Sequence, residues 1–480
     1  MHISSQKDRR ARSDGTNRPG RTWILATLCS MALLTRGLPA QAADSRIEAL
    51  EAKLVALQAE LAQLKTEQQK KEAQQIANEQ KTDVLAEAVD TIKSRLTIPE
   101  EMKLESRYGL SPGAAKVYGR DPGLSIGGYG ELIFKAPTTD KGPSDLIRDD
   151  MQRFVLYTGY KFNDWIVFNS EVEFEHATTS GTISSAGGDV SVEMAYLDFF
   201  LSDYANIRAG EVLVPMGMVN EAHEPTFYYG VNRPEVDQRI IPSTWREIGA
   251  GLFAEPTDWM DYRVYAINGF NALGFRPSGF RDARQKANRA IAEDWAFVGR
   301  VDFQPIDDLT FGTSVYAGNS GQNQEVEGVD VPSTPTTIWE GHGQYTLGQF
   351  VTRAEIAASW VGDAKQLTEL LREEGSIGEN DVIANQMLGL YVEGAYDIMP
   401  WIIEDTEQNI SPFVRFEWVN TQQHVPAGFI PNGKYDDTIW TVGLDYKPIP
   451  QVVAKIDYRM YDPAAGQSPN TFNMGLGFVF

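Results

Sequence analysis

Cysteine, histidine and positive charge are all scarce in this sequence. Its 480 residues include five histidines and a single cysteine, Cys29, which lies in an apolar run near the N-terminus. The rest of the chain therefore has no thiol for a disulfide or a cysteine-ligated metal site. Lys and Arg number 43 against 66 Asp and Glu, and the resulting net charge of −23 argues against a nucleic-acid partner.

Long apolar runs are absent beyond the N-terminal region. Residues 1–42 join a basic leader, the apolar run TWILATLCSMALL and small residues ending at Ala40 and Ala42, an order that predicts a signal peptide. Its removal brings the net charge to about −28. No later run is long enough for a transmembrane helix, so the mature chain can cross a membrane only as β-strands.

The sequence also has no residue pattern typical of an enzyme. No nucleophile elbow is present, although a Ser–His dyad of the outer-membrane lipase kind stays open. We therefore predict no enzyme activity, no cofactor and no metal site. The four histidines of the mature chain have no ligand spacing, and we expect them on the solvated surface. They are His176, His223, His342 and His424.

The segment after the signal peptide has the pattern of a coiled coil. Apolar residues alternate spacings of three and four from Ile47 to Leu64, with Glu, Lys, Gln and Ala between them. Such a heptad seam is typical of helices that associate, so residues 43–96 are predicted to form a periplasmic coiled coil, either dimeric or trimeric. A single solvated helix is the alternative. Residues 97–120 are predicted to be a linker.

From residue 121 to residue 480 the pattern changes to short segments that alternate apolar with polar residues. This alternation, interrupted by Gly, Pro, Asn and Asp, is the signature of transmembrane β-strands. We predict an all-β fold, a transmembrane antiparallel β-barrel of about 16 strands, preceded by the α-helical coiled coil. A soluble β-sandwich would not normally need so many strands. The predicted strands are 124–135, 151–162, 164–176, 190–201, 204–214, 246–255, 259–268, 294–304, 308–318, 337–347, 349–361, 384–398, 410–420, 437–447, 450–461 and 471–480.

The connections and the two strand faces agree with a bacterial barrel. Tight turns such as KFNDW alternate with long loops, as expected of periplasmic and extracellular ends, although the connection at 398–410 is longer than this rule predicts. In DWIVFNSEVEFEH, apolar Phe168 and Phe174 share one face while Glu171 and Glu173 share the other. Aromatic residues near strand ends suit interfacial girdles, namely Trp165, Trp259, Trp295 and Trp440.

The polar strand faces predict a charged lumen. A sixteen-stranded barrel is too wide for its own side chains to fill, so inward charges are expected to line water and to admit small hydrophilic solutes. The predicted pore-lining residues are Arg153, Glu171, Glu173, Arg263, Arg300, Arg353, Arg415, Lys455 and Arg459.

The third long connection, residues 215–245, is the longest in the predicted barrel. Its aromatic residues, prolines and mixed charges favour a compact loop, which would narrow the pore if it folded inward. Its arginines either contact passing anions or pin the loop to the wall through ion pairs, and both interpretations stay open. The predicted constriction residues are Arg233, Arg239, Arg246, Glu235 and Asp237.

The stretch GVNRPEVDQRIIPSTWREIGAG resembles members of the phosphate-selective porin O and P family. The strand count, the long third loop, the terminal Phe480 and the signal peptide add to this resemblance, which covers about residues 120–480. The resemblance implies a trimeric channel, closed by an inward loop, that passes anions by means of arginines and lysines. Here the loop has few lysines, and Glu171, Glu173 and Glu175 bring acid inward, which departs from the family pattern.

The leading hypothesis is a passive diffusion channel in the outer membrane of a Gram-negative bacterium. Its expected partners are outer-membrane lipid, further copies of itself in a homotrimer, and small inorganic or organic anions such as phosphate. One alternative is an envelope tether whose coiled coil binds peptidoglycan or a periplasmic protein. Another is a plugless siderophore porin, because the segment before the first strand is too short for the plug of an energised receptor.

Overall fold

The computed structural model describes residues 41–96, 105–139, 142, 145–182 and 186–480. The chain divides into two compact units, Met1–Thr97 and Ile98–Phe480. All but the last two residues of the predicted signal peptide, and the first part of the predicted linker, lie outside the described residues. None of the helices in the described part of the chain combines the length and apolar character that a membrane-crossing helix needs.

The first unit is a single long helix, α1 (Gln41–Leu96). The helix agrees with the heptad pattern, and the seam residues Leu54, Leu57, Leu61 and Leu64 are all more than half exposed. A single helix taken from a coiled coil exposes its apolar stripe in the same way, because the stripe packs only against the other helices. The coiled coil itself stays a prediction.

The second unit is a closed antiparallel β-barrel of sixteen strands in the described residues, which confirms the predicted fold class. Each strand pairs with its neighbours in chain order, and β1 closes the barrel against β18. Barrel strands β1 to β9 are Gly123–Pro137, Arg148–Lys161, Ile166–Glu175, Val190–Phe199, Asn206–Leu213, Arg246–Thr257, Met260–Asn268, Trp295–Ile306 and Leu309–Gly318. Strands β12 to β18 are Thr336–Leu347, Phe350–Val361, Gln386–Tyr396, Asn409–His424, Asp436–Ile449, Val452–Pro463 and Thr471–Val479.

The remaining elements lie in the connections. A separate hairpin is formed by β10 (Glu325–Val326) and β11 (Val329–Asp330). The short helices are α2 (Pro112–Ala115), α3 (Val236–Arg239) and α4 (Ala364–Glu373), and the 3-10 turns are Lys116–Gly119, Ala272–Gly274, Arg281–Ala283, Met399–Trp401 and Gly433–Tyr435. All sixteen predicted strands agree with the observed ones to within four residues at either end.

The outer surface of the barrel is apolar and the inner surface is polar. In β18, Met474 and Leu476 are exposed, whereas Thr471 and Asn473 are buried. This period of two follows from the pleat, which turns successive side chains to opposite faces. Half-exposed tryptophans lie at both ends of the barrel: Trp165 and Trp259 at the short-turn end, and Trp295, Trp339, Trp360 and Trp440 at the long-loop end.

The connection between β7 and β8 folds over the third loop and fixes its far end. Trp245, fully buried, stacks on Phe270 with ring centroids 4.5 Å apart and also contacts Tyr316 at 5.0 Å. Phe275 and Phe280 extend this aromatic cluster, and both are fully buried. The third loop therefore enters the barrel from a packed apolar anchor.

Candidate functional site

The third loop, residues 215–245, lies inside the barrel. Its backbone reaches inward-facing side chains of β13 to β17 on one side, and its side chains reach β1, β3 and β4 on the other. The predicted inward loop is thus present in the described structure, and it crosses the lumen. The loop contacts some charged side chains of the wall and leaves others accessible to solutes, and this division determines the chemistry of the site.

Positive side chains from β13, β15, β16 and β17 donate hydrogen bonds to backbone carbonyls of the third loop. Arg353 on β13 binds the Phe227 carbonyl at 2.7 Å. Arg415 on β15 binds two carbonyls, those of Tyr229 at 2.5 Å and Asn232 at 3.0 Å. Buried carbonyl groups outside secondary structure need such partners. Two lysines complete the row: Lys447 binds the Thr226 carbonyl at 2.8 Å, and Lys455 binds those of Tyr228 and Gly230 at 2.7 and 2.8 Å.

Carboxylates of the same wall accept the loop's amide groups. The Val231 amide donates to Asp457 at 2.7 Å, and the Glu235 amide donates to Glu417 at 2.6 Å. The Met218 amide donates to Glu355 at 3.2 Å. Positive and negative wall residues together hold the backbone of the loop in one path, whatever its side chains are.

The three arginines that the sequence singles out differ in their partners. Arg239 is paired with Glu235 at 2.7 Å and with Asp437 at 2.5 Å. Arg246, the first residue of β6, is paired with Glu193 at 2.7 Å and with Glu211 at 3.3 Å. These two arginines pin the structure through ion pairs, the second of the two interpretations left open by the sequence.

Arg233 has no carboxylate at ion-pair distance among the described residues. Its Nη2 donates to the His223 carbonyl at 3.2 Å, and its Nε is buried without a hydrogen-bond partner in the described structure. The side chain is only 8% exposed. A guanidinium in this state keeps donors available for an anion.

The two acidic constriction residues also differ. Glu235 joins Arg239 and, at 3.1 Å, Arg459 of β17, so it bridges the loop to the wall. Asp237 lies in α3, is fully buried and makes no ion pair among the described residues. Two further carboxylates near the arginines in the sequence, Glu224 and Glu247, would by proximity be expected to pair with them. Instead they accept backbone amides, from Gly113 and Ala114 and from Gln285 respectively.

The predicted pore-lining residues all lie on inward-facing strand positions, but they are largely buried rather than bathed in open water. Arg263, Arg415 and Arg459 are each at most 2% exposed. The sequence argument considered only the side chains of the wall, and the third loop fills the space that these leave. Their partners are Glu131 and Glu173 for Arg153, Glu221 for Arg263 and Arg300, Glu393 for Arg353 and Arg415, and Glu417 for Arg459, while Glu171 faces His223. Lys455 binds the loop carbonyls described above.

Residues 105–119, which the sequence places in a linker, also fold into the lumen from the short-turn end. The Gly113 and Ala114 amides, which belong to α2 within this segment, donate to Glu224 at 3.0 and 3.2 Å. Asn169 of β3 donates to the Ala114 carbonyl at 2.9 Å, and the Tyr118 hydroxyl donates to Asp198 at 2.7 Å. The lumen therefore holds two inserted segments that meet at Glu224.

Two histidines are not on the solvated surface, so that prediction is wrong for them. His223 is 2% exposed and His342 is 8% exposed. His342 lies between Glu340 at 2.9 Å and Asp302 at 2.8 Å. Both histidines face the lumen and contact carboxylates of the wall, which their spacing in the sequence does not reveal.

A group of cations from the β7–β8 connection lies next to Arg233. Arg284 donates to the Pro242 and Thr244 carbonyls at 3.0 and 2.7 Å, and Arg281 donates to the Ser243 carbonyl. Neither has a carboxylate at ion-pair distance in the described structure. Burial and the nearby Arg233 lower the pKa of Arg281, and burial and Arg281 itself lower the pKa of Arg284. The two arginines and Arg233 therefore form a cluster of like charges, with Glu193 as a nearby carboxylate.

Open space remains at both ends of the lumen. A cavity of about 930 Å³ at the long-loop end is lined by Lys135, Arg148, Asp149 and His176 among others. A cavity of about 510 Å³ at the short-turn end is lined by Arg263, Arg300, Asp302 and His342 among others. The third loop lies between these two vestibules.

Several residues at the site escaped the sequence analysis. Glu193 and Glu221, each at most 3% exposed, bind Arg246 and Arg263. Asp198 and Arg208, also buried, pair at 2.8 Å on adjacent strands. Strand alternation is the signal that could have found Asp198 and Arg208, whereas a register shift in the pairing of β3 with β4 hides Glu193.

Comparison with known proteins identifies one close relative and several distant structures. No family model matches the chain. An "Uncharacterized protein" of Aquifex aeolicus (strain VF5) is 34% identical over 394 residues, which cover 81% of this chain and 87% of that protein.

The similar solved structures are outer-membrane proteins. OmpF of Salmonella typhi in complex with daunomycin is 14% identical with a TM-score of 0.49, covering 75% of this chain and 98% of that one. The outer membrane channel DcaP of Acinetobacter baumannii is 12% identical with a TM-score of 0.47, covering 74% and 97%. OmpT of Vibrio cholerae in its trimer form is 16% identical with a TM-score of 0.44, covering 75% and 100%. Likeness at this level identifies neither a family nor a function. The sequence identity, in contrast, shows that this chain belongs to the same family as the Aquifex aeolicus protein.

Proposed function

We propose that this protein is an outer-membrane porin, a passive diffusion channel for small hydrophilic solutes in a Gram-negative bacterium. The observation that carries the proposal is the closed sixteen-stranded barrel with an apolar exterior, half-exposed tryptophans at both ends and a charged interior. Such a surface fits a bilayer, and such an interior fits water and ions. The signal peptide directs the chain to the periplasm in this proposal, and the barrel has no enzymatic role.

The preferred solutes in this proposal are small inorganic or organic anions, phosphate among them. Arg233, Arg281 and Arg284 have no carboxylate at ion-pair distance in the described structure, and they lie together on the long-loop side of the third loop. Guanidinium groups bind carboxylate and phosphate oxygens with paired donors. Membership in the phosphate-selective porin O and P family is part of this proposal, as are the roles of the predicted constriction and pore-lining residues.

Self-association and envelope attachment are proposed for α1. Its exposed leucine seam fits a homotrimer or a dimer held by a periplasmic coiled coil. The long, polar helix also favours a second role as a tether to peptidoglycan or to a periplasmic protein. A channel role and a tether role are compatible in one chain.

Planar-bilayer recording of the mature protein in a salt gradient tests the channel and its selectivity. Because the third loop and residues 105–119 fill much of the lumen, we expect small, discrete conductance steps and a reversal potential that indicates anion preference. Conductance no greater than that of detergent alone would contradict the channel. Clear steps with cation preference would contradict the anion assignment and leave the porin intact.

A further inference from the structure

Three buried side chains meet where the third loop contacts strands β3 and β4. Glu171 lies on β3, Glu193 lies on β4, and His223 lies on the loop. Each is at most 2% exposed. One ligand atom from each residue, an imidazole nitrogen or a carboxylate oxygen, lies within 4.8 Å of the other two.

The hydrogen bonding of the His223 ring determines which nitrogen faces the carboxylates. Nδ1 lies 2.9 Å from the Asn220 carbonyl oxygen, and because that oxygen can only accept, Nδ1 carries a proton. In the neutral ring, Nε2 then presents a lone pair to Glu171 Oε1 at 3.1 Å and to Glu193 Oε2 at 3.8 Å. A lone pair facing two carboxylates is stabilised only when a positive ion lies between them, either a proton held by Nε2 or by a carboxyl group, or a metal ion. Metal-ligating histidines commonly donate their other N–H to a backbone carbonyl in this way.

Unpartnered oxygens and surplus negative charge surround the same point. Glu171 Oε2 and Glu193 Oε2 are buried and have no hydrogen-bond partner in the described structure. Buried carboxylates are costly unless they are paired or bind a metal. A proton on Nε2 would offset one negative charge, whereas a divalent ion offsets two. Within ion-pair distance, five carboxylates share two arginines and His223: Glu131, Glu171, Glu173, Glu193 and Glu211, with Arg153 and Arg246.

We propose that Glu171, Glu193 and His223 bind a divalent transition-metal ion of the Zn²⁺ class. Bonds of about 2.0–2.1 Å to Zn²⁺ place tetrahedral ligand atoms about 3.3 Å apart. The separations from Nε2, 3.1 and 3.8 Å, lie on either side of this distance. One imidazole nitrogen among the ligands favours Zn²⁺ over Mg²⁺ or Ca²⁺, which take oxygen ligands.

At this position the ion would link the third loop to the barrel wall. Its ligands belong to two wall strands and to the third loop, so it ties the loop to the side of the barrel opposite β13 to β17. Three protein ligands also leave a fourth position for water or for an anion, as in zinc sites that are not closed. Arg233 donates to the backbone carbonyl of His223, so it contacts the same loop residue that supplies the nitrogen ligand.

Metal binding to the mature protein in detergent tests the proposal. After chelator treatment and re-exposure to Zn²⁺, the wild-type chain is expected to retain one Zn²⁺ ion, measured by elemental analysis. X-ray absorption should show nitrogen and oxygen ligands at about 2.0–2.1 Å. His223→Gln and Glu171→Gln are each expected to weaken Zn²⁺ binding by more than about tenfold.

His342→Gln is the matched control. His342 is similarly buried and lies between two carboxylates, but its Nε2 also faces Arg300 at 3.1 Å, so a cation already occupies the corresponding place. This variant should bind Zn²⁺ as the wild type does. Zn²⁺ should also raise the melting temperature of the wild type with increasing concentration, and should leave that of His223→Gln unchanged.

Two results would overturn the metal site. The first is a folded wild-type barrel that retains no Zn²⁺, which leaves a proton as the compensating cation. The second is Zn²⁺ retained equally by the wild type and by His223→Gln. If the ligand variants fail to fold, the X-ray absorption spectrum of the wild type is the deciding measurement. A spectrum that shows no imidazole bound to the Zn²⁺ ion, or no oxygen ligands, would contradict the proposed ligand set.

Discussion

The two sides of the third loop are held in different ways. Toward β13 to β17, most contacts join wall side chains such as Arg415 and Asp457 to the backbone of the loop. Two loop side chains add ion pairs on this side, Arg239 with Asp437 and Glu235 with Arg459. Toward β1, β3 and β4, the contacts join side chain to side chain, as between His223 and Glu171 or between Tyr228 and Glu131. Backbone contacts fix the path of a loop independently of its sequence, whereas side-chain contacts depend on particular residues and their charge.

This difference suggests that one side of the loop holds it in place and that the other side interacts with solutes. The β13 to β17 side uses its cations on carbonyl groups of the loop and, in the case of Arg459, on Glu235 and Glu417, so few of them remain for a solute. On the other side, Arg233 keeps its donors, and Glu171 and Glu193 keep unpartnered oxygens. We therefore expect changes on the first side to alter stability and changes on the second side to alter selectivity.

The largest expected effect is on stability, from Arg415→Ala on the supporting side. The change removes one of the two arginines that pair with the buried Glu393, leaving only Arg353 at 3.4 Å, and it also leaves two loop carbonyls without their donor. We expect a loss of about 3–5 kcal/mol in the free energy of unfolding. Urea unfolding in detergent, followed by tryptophan fluorescence, measures it. The control is exposed Arg148→Ala, expected within about 0.5 kcal/mol of wild type; equal losses in both would refute the supporting role.

Deletion of residues 105–119 should open the lumen from the short-turn end. The segment packs against β3 and the third loop through Asn169 and Glu224, so its loss removes material from the conducting path. We expect the single-channel conductance to rise several-fold. Deletion of residues 44–95 serves as the control: it should leave conductance unchanged and, in the tether proposal, weaken attachment to the envelope. Unchanged conductance after the first deletion would show that solutes pass elsewhere.

Arg233→Gln should reduce anion preference. The loss of one charge at about 4 Å from a permeating ion in water is worth about 1 kcal/mol, or about fivefold in the anion-to-cation permeability ratio. Reversal potentials in a salt gradient measure this ratio. Arg289→Gln makes the same charge change on an exposed loop position and should leave the ratio unchanged. If both variants shift the ratio equally, the effect comes from overall charge and not from the constriction.

Substitutions in α1 are expected to have the smallest effect on conductance through the barrel. Replacing Leu57 and Leu61 with Gln removes apolar side chains from the exposed seam and should lower self-association, because a coiled coil depends on its a and d positions. Light scattering of the isolated protein reports the assembly, and conductance per barrel should stay the same. The matched control replaces Glu60 and Glu67, off the seam, with Gln. An unchanged assembly in the leucine variant would contradict the coiled coil.

Much of the fold was predictable from the sequence because the signals are local. Alternation with period two, turn residues and an even strand count place all sixteen strands, and the length and proline content of residues 215–245 mark the third loop. Each of these patterns reflects a property of neighbouring residues. The long helix α1 was predictable for the same reason.

The interior of the barrel was less predictable because its contacts join distant residues. Every residue has a carbonyl group, so nothing in the sequence indicates that Arg353 meets Phe227 or that Arg415 meets Tyr229. The insertion of residues 105–119 depends on space that only the closed barrel defines. His223 meets Glu171 across 52 positions of the chain, and this distance explains why its burial escaped notice.

Cysteine modification of Arg233→Cys tests the central claim most directly, that solutes pass the third loop on its Arg233 side. The only native cysteine, Cys29, lies in the predicted signal peptide, so the variant carries a single thiol in the mature chain. A negatively charged methanethiosulfonate added to open channels should lower the conductance and weaken anion preference, while Leu476→Cys on the outer belt should show no change. Channels of Arg233→Cys whose thiol is shown to be modified, with conductance and selectivity unaltered, would contradict the account.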